Sequence, residues 1–209
     1  MSEQTEKDYS TELSPETLAV LQQFLQEKSA EVMDPSKEDW SLAQFWYEPE
    51  TRSALSKEVI KMSKGGSIAV VSAPSVFVTL DEMKVENQVI LFEYDTRFEN
   101  DFGEDRFCFY DCDKNLEIPE KYHHHFDFVI CDPPRLNKET TASFLETVSL
   151  LAKSPETPFI LVTASFLREH IEETYHLHTA SFIPRHKQLL NPMSIYTSYV
   201  SEGLGCETD

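Results

Sequence analysis

The sharpest chemical signal in the sequence is Asp132-Pro133-Pro134, placed directly after the apolar run 126–131. Neither proline can donate a backbone hydrogen bond, so a sheet ladder stops there. The stiff backbone holds the Pro133 carbonyl beside the Asp132 carboxylate. Side by side, these two acceptors can take both hydrogens of one amine and hold its lone pair in line with an electrophilic carbon. Other acids close neighbouring apolar runs: Glu93, with Asp95 as its alternate, ends 88–95, and Asp111 ends 106–111. An acid about 20 residues past a first strand turn suits a ribose, whose two adjacent hydroxyls meet one carboxylate. Glu93 stands about there, counted from Ser72-Ala73-Pro74-Ser75. Asp111 suits either an adenine amine or the start of a turn.

Such chemistry needs a scaffold that gathers strand ends. The apolar runs 67–73, 88–95, 106–111, 126–134 and 158–164 alternate with stretches of helical pattern, 74–87 and 137–154 among them. That alternation predicts an α/β fold with a mostly parallel, Rossmann-like sheet covered on both faces. A helix over 51–66 is expected to close on Gly65-Gly66. Segments 178–186 and 194–201 read as two antiparallel strands joined by Gln188-Leu189-Leu190-Asn191-Pro192. Residues 1–39 form a polar, acidic extension. One helix is expected in it, capped by Ser14 and lined by Leu18, Leu21, Phe24 and Leu25. The main domain then occupies 40–209. Phe45-Trp46-Tyr47 is more aromatic surface than one buried face needs; it is either a hydrophobic lid or a wall of an amine or cofactor pocket.

Composition narrows the partners. The 209 residues carry 37 Asp+Glu against 18 Lys+Arg, a formal net charge of -19. A protein that holds nucleic acid by its phosphates usually presents a basic face, so nucleic acid is disfavoured and a basic protein or small molecule favoured. No apolar run reaches the ~18–20 residues of a membrane span. The N-terminus lacks the pattern of a secretory signal, and the four cysteines read as reduced thiols, so a cytoplasmic location is expected. His123-His124-His125 is a poor metal site, since consecutive residues do not easily converge on one ion; no metal is expected.

Several strings occur in a fixed order: Ser41-Leu42-Ala43-Gln44-Phe45-Trp46-Tyr47, Val71-Ser72-Ala73-Pro74-Ser75-Val76, Phe92-Glu93-Tyr94-Asp95 with Arg97-Phe98, Phe109-Tyr110-Asp111, and Phe182-Ile183-Pro184-Arg185-His186. With Asp132-Pro133-Pro134, this set resembles the elongation factor 1-alpha lysine methyltransferase family, formerly labelled adenine-N6 DNA methyltransferases. The resemblance implies a seven-stranded class I methyltransferase sheet of order 3-2-1-4-5-7-6 and S-adenosyl-L-methionine as cofactor. It implies a lysine of elongation factor 1-alpha as substrate, handled by a monomer. Ser72, Ala73 and Pro74 would lie against the methionine part of the cofactor, Glu93 would hold the ribose and Asp111 the adenine. Asp132 and the Pro133 carbonyl, with Pro134 behind them, would hold the acceptor amine. Two positions depart from the usual methyltransferase pattern. The first turn has no glycine, and Arg135 stands where Tyr or Phe is usual. Arg135 either sits beside the acceptor lysine, where its charge disfavours the ammonium, or points to solvent and leaves Phe45 or Trp46 to line the site. An adenine-N6 nucleic-acid methyltransferase is the alternative function.

Overall fold

Four consecutive-residue runs with every position buried form the centre of the sheet: β1 (Ile68–Val71), β2 (Val89–Glu93), β4 (Phe128–Cys131) and, but for its first residue, β5 (Phe159–Ala164). Burial on both faces is what a parallel sheet sandwiched by helices demands of its strands. The remaining strands are β3 (Phe107–Phe109), β6 (His178–Thr179) and β7 (Met193–Thr197). The structure is a computed structural model and describes residues 46–186 and 191–205. The expected N-terminal helix, Phe45, Lys187 and Cys206 lie outside the described residues.

The seven strands run in the order β3-β2-β1-β4-β5-β7-β6. Pairing is parallel from β3 through β5 and antiparallel at β5–β7 and β7–β6. One face gathers Ala69, Val71, Ile90, Phe92, Val129 and Cys131 against Phe144, Val148 and Leu151 of helix α4 (Lys138–Leu151). The alternate positions point the other way by the two-residue period of a strand. There helix α1 (Pro49–Ser63) packs on β4, and helix α2 (Pro74–Glu82) packs on β1, β2 and α1. Helices α3 (Arg97–Phe102) and α5 (Arg168–Tyr175) complete the α-helices among the described residues.

Two local expectations are corrected. Helix α1 ends at Ser63, and Lys64 is the left-handed residue that stops it (φ 51°), one position before Gly65 (φ 81°). The final hairpin is much shorter on its first side. Only His178 and Thr179 pair with β7, at Thr197 and Tyr196. Pro184 has no N–H to give a ladder, and the backbone beyond it pairs elsewhere: Glu48 N donates to Arg185 O at 3.0 Å, and Tyr47 bridges His186. The segment after β6 is therefore a strap across the start of α1.

Candidate active site

The register sets the site. Val71 at the end of β1 lies opposite Phe92 on one side and Cys131 on the other. The next residues, Ser72, Glu93 and Asp132, therefore stand level on three adjacent strands, with Glu93 and Asp132 roughly 10 Å apart across the sheet. Backbone bonds carry the ladder to this level: Ser72 N donates to Phe92 O at 2.9 Å, and Asp132 N donates to Val71 O at 3.1 Å. β1 is also where the chain reverses its direction of sheet growth, from β3-β2 on one side to β4-β5 on the other. Ligands of open α/β sheets bind in the crevice at such a point, outside the carboxyl ends of the strands.

Asp132 is the centre of the arrangement. Its side chain is 3% exposed. Oδ2 accepts a 2.7 Å hydrogen bond from the Tyr47 hydroxyl, whereas Oδ1 is buried with no partner among the described residues. Burial pushes the Asp132 carboxyl up to about 8; the Tyr47 hydrogen bond pulls it back, and the charge of Glu93 raises it further. An unpartnered buried carboxylate oxygen is costly unless something binds it. Tyr47 is itself buried, and burial and the adjacent carboxylate keep its phenol protonated. Its ring meets His186 edge-on, with centroids 6.4 Å apart. The strap thus holds Tyr47, and Tyr47 holds Asp132. Pro133 is buried and Pro134 half-buried directly after it.

Glu93 is 4% exposed, and its Oε1 accepts from the backbone of Tyr94 (3.0 Å) and Asp95 (3.4 Å). Burial pushes its carboxyl up to about 7, against those two backbone donors. Asp95 does something different. Its oxygens take Arg97 Nε at 2.9 and 3.0 Å and Arg97 Nη2 at 2.7 Å, and Oδ1 also caps Arg97 N. Asp95 therefore anchors the start of α3, and Glu93 is the acid left for a ligand. Beside them Tyr94 and Phe109, each about half exposed, set their rings 5.3 Å apart.

The first turn is unusual. Ser72 adopts φ 51°, the left-handed conformation that glycine takes without strain. Ala73 precedes α2 with no side-chain cap, and Pro74 is its first residue. Ser72 N is held by Phe92 O and Pro74 has no N–H, so the donors this turn could offer an anionic or polar ligand group are those of Ala73 and Ser75 at the start of α2. Ser75 Oγ, one residue in, is buried without a partner among the described residues.

Asp111 and Arg135 lie on the loops after β3 and β4, at the same carboxyl edge. Asp111 Oδ1 accepts from Asp113 N at 2.9 Å, capping a single helical turn. Asp111, Cys112 and Asp113 bring their ligand atoms within 4.8 Å of one another. The cation there is Arg135, which donates to Asp113 and, at 3.4 Å, to Cys112 Sγ. Arg135 is half exposed. Of the two sequence readings, the outward one is the one observed: Arg135 ties the loop after β4 to the loop after β3. Trp46 is buried beside Tyr47 in sequence.

A sequence profile described as "Probable N6-adenine methyltransferase" matches residues 38–201. The chain is 38% identical over 220 residues to EEF1A lysine methyltransferase 1 of Mus musculus, covering 99% of this chain and 100% of that protein. The Homo sapiens protein of the same name is 38% identical over 96% of this chain and 97% of its own length. The chain belongs to this methyltransferase family. Among solved structures, a branched-chain polyamine synthase from Thermus thermophilus shares the fold at a TM-score of 0.59 and 12% identity, over 90% of this chain and 67% of that one. The profile's description thus names adenine, whereas the names of the relatives name lysine. The site residues have to be weighed against both.

Proposed function

We propose that the protein is an S-adenosyl-L-methionine-dependent protein-lysine N-methyltransferase that acts on elongation factor 1-alpha. The observation that carries this reading is Asp132: a buried carboxylate with one oxygen fixed by Tyr47 and the other unpartnered among the described residues, followed directly by Pro133. That is a two-acceptor cradle for one amine. The names of the 38%-identical relatives supply the substrate.

The residues fit the cofactor. Glu93, whose Oε1 takes both backbone donors, would turn Oε2 to the ribose hydroxyls. The uncapped turn Ser72-Ala73-Pro74 and the unpartnered Ser75 hydroxyl would face the amino-acid part. The exposed rings of Tyr94 and Phe109 and the Asp111 side chain offer an apolar surface and an acceptor for the adenine. When bound, S-adenosyl-L-methionine supplies an electrophilic methyl group to an amine lone pair.

The chain's own residues supply position and desolvation. A lysine ammonium, ordinarily near ~10.4, has no lone pair until it loses a proton. Removal of water around Asp132 and Tyr47 favours that loss. An arriving cation in turn favours ionised Asp132, whose carboxyl is otherwise held up at about 8. Oδ1 and the Pro133 carbonyl then accept the two amine hydrogens and fix the direction of the lone pair. Tyr47 keeps Oδ2 occupied, so that Asp132 has one orientation instead of two. Positioning of this kind is the main contribution a protein makes to such a transfer.

The adenine reading rests on the profile description. A flipped base needs a stacking wall and a backbone needs cations. The net charge of -19 and the engagement of Arg135 with Asp113 both favour a protein amine. We further propose that it acts as a monomer, and a translation-factor substrate supports action in the cytoplasm. Among the described residues no helix is long and apolar enough to cross a membrane. The test is methyl transfer from labelled cofactor to purified elongation factor 1-alpha, duplex DNA or single-stranded DNA offered in equal amounts. Label on a lysine is expected; label on adenine favours the alternative.

A further inference from the structure

Two of the most exposed large apolar side chains among the described residues are Phe166 (66%) and Ile183 (71%). Isolated exposed apolar residues are ordinary on a soluble protein. These two are brought to one edge of the sheet by the topology. Phe166 is on the helical turn Ser165–Leu167 directly after β5, so it leaves the carboxyl end of a strand that pairs with β4. Ile183 lies on the strap after β6, a strand that runs antiparallel to β7 and hence in the direction of β5. Both therefore sit at the edge that carries Asp132.

Hydrogen bonds join the two positions to the site. Ser165 N donates to Pro192 O at 2.9 Å, and Ser165 Oγ and Ser194 Oγ are 2.7 Å apart, so the Phe166 turn is fastened where the β6–β7 connection returns. At its other end that connection carries Ile183, then Arg185 and His186, which bind Glu48 and Tyr47. Neighbouring charge is mixed. Arg168, paired with Glu172, and exposed Glu169 follow Phe166 on α5; Glu48 and exposed Glu50 adjoin the strap, which itself carries exposed Arg185 and no acid.

We infer that Phe166 and Ile183 form the docking rim for the protein substrate, taking apolar side chains next to an acceptor lysine in a basic surface segment. The inference rests on the lysine-methyltransferase reading. The occupant is chosen by complementarity: apolar anchors on a chain of net charge -19 fit a segment that mixes apolar and cationic residues. Both anchors project to solvent, so polar replacement leaves the core intact. They lie on elements separate from the strand ends that carry Ser72 and Glu93, so cofactor affinity and substrate affinity separate.

The experiment measures binding and transfer independently. Binding of elongation factor 1-alpha to wild type, Phe166→Ser, Ile183→Ser and the double variant is followed by biolayer interferometry. Cofactor binding is followed by calorimetry on the same samples. Each single variant is expected to weaken protein binding about tenfold, and the double variant more, with cofactor Kd unchanged. Unchanged protein affinity in the double variant overturns the docking rim, as does failure of the wild type to bind. A wild type that binds through these residues yet transfers no methyl leaves the rim standing and counts against the activity. A weakened cofactor Kd overturns the assignment to substrate alone.

Discussion

Replacing Tyr47 by Phe removes one hydroxyl and little else. The ring is buried against His186 and the site, so packing is largely retained. What is lost is the 2.7 Å donor to Asp132 Oδ2, in a place where Oδ1 already has no partner. A hydrogen bond to a charged group contributes ~1.5–3 kcal/mol, and a buried acceptor left bare keeps its desolvation cost. At 1.36 kcal/mol per tenfold, this is roughly 10- to 150-fold in kcat/KM. The loss has a pH signature. Asp132 is held up at about 8 mainly by burial, with Tyr47 as the contribution that lowers it. Without Tyr47 the carboxylate forms only at higher pH, so the ratio of variant to wild type is smallest on the acid side and recovers as pH rises. Lysine ionisation is common to both enzymes and cancels in that ratio. Initial methylation rates at sub-saturating elongation factor 1-alpha, from about pH 6.5 to 9.5, give the curve. A ratio near one throughout, or a loss equal at every pH, refutes the view that Tyr47 acts by stabilising the Asp132 carboxylate.

Glu93→Ala should weaken S-adenosyl-L-methionine binding by about tenfold or more, read by calorimetry with the fold checked by circular dichroism, because a charge-assisted pair of bonds is removed. Glu93 and Asp132 are held up at about 7 and about 8 from ordinary values of 4.5 and 3.8. Carboxyls raised on folding stabilise the protein fully below their unfolded values, and that contribution is lost as pH rises through the folded ones. The melting temperature of the free protein should therefore fall between pH 5 and pH 8 by less in a Glu93→Gln, Asp132→Asn double variant; an equal fall contradicts the burial of these charges. Ser72→Gly should match or exceed wild-type stability, since φ 51° costs a non-glycine residue about 1 kcal/mol, whereas Ser72→Val should lower the denaturation midpoint. Arg135→Ala should change kcat by no more than about threefold, because an exposed ion pair with Asp113 contributes little; a large loss would return Arg135 to the acceptor pocket.

The parallel core was legible in the sequence because β1, β2 and β4 are buried on both faces and so read as unbroken apolar runs bounded by turn residues. Two of their ends were legible for the same reason: Glu93 is the charged residue that closes β2, and Asp132 is the first residue after β4. Long-range contacts were not. Tyr47 and Asp132 are 85 residues apart, and nothing local to either foretells that one would donate to the other. Asp95 stands in the sequence as the alternate to Glu93, and only the structure shows that Arg97, two residues on, occupies its oxygens. Arg135 could be read inward or outward because its partner Asp113 lies 22 residues earlier on another loop. The final hairpin is shorter than 178–186 predicts because Pro184 has no N–H for a ladder and the backbone of residues 47 and 48 diverts that stretch into the strap.

The central claim is that Asp132 aims a lysine amine of elongation factor 1-alpha at a methyl donor. The most direct test is transfer from isotopically labelled S-adenosyl-L-methionine to purified elongation factor 1-alpha, with the modified residue located by mass spectrometry, for wild type and Asp132→Asn side by side. The expected result is methylated lysine with wild type, and loss of most turnover in Asp132→Asn with cofactor affinity held within a few-fold. Label on DNA adenine with none on the protein, or full turnover by Asp132→Asn, would contradict it.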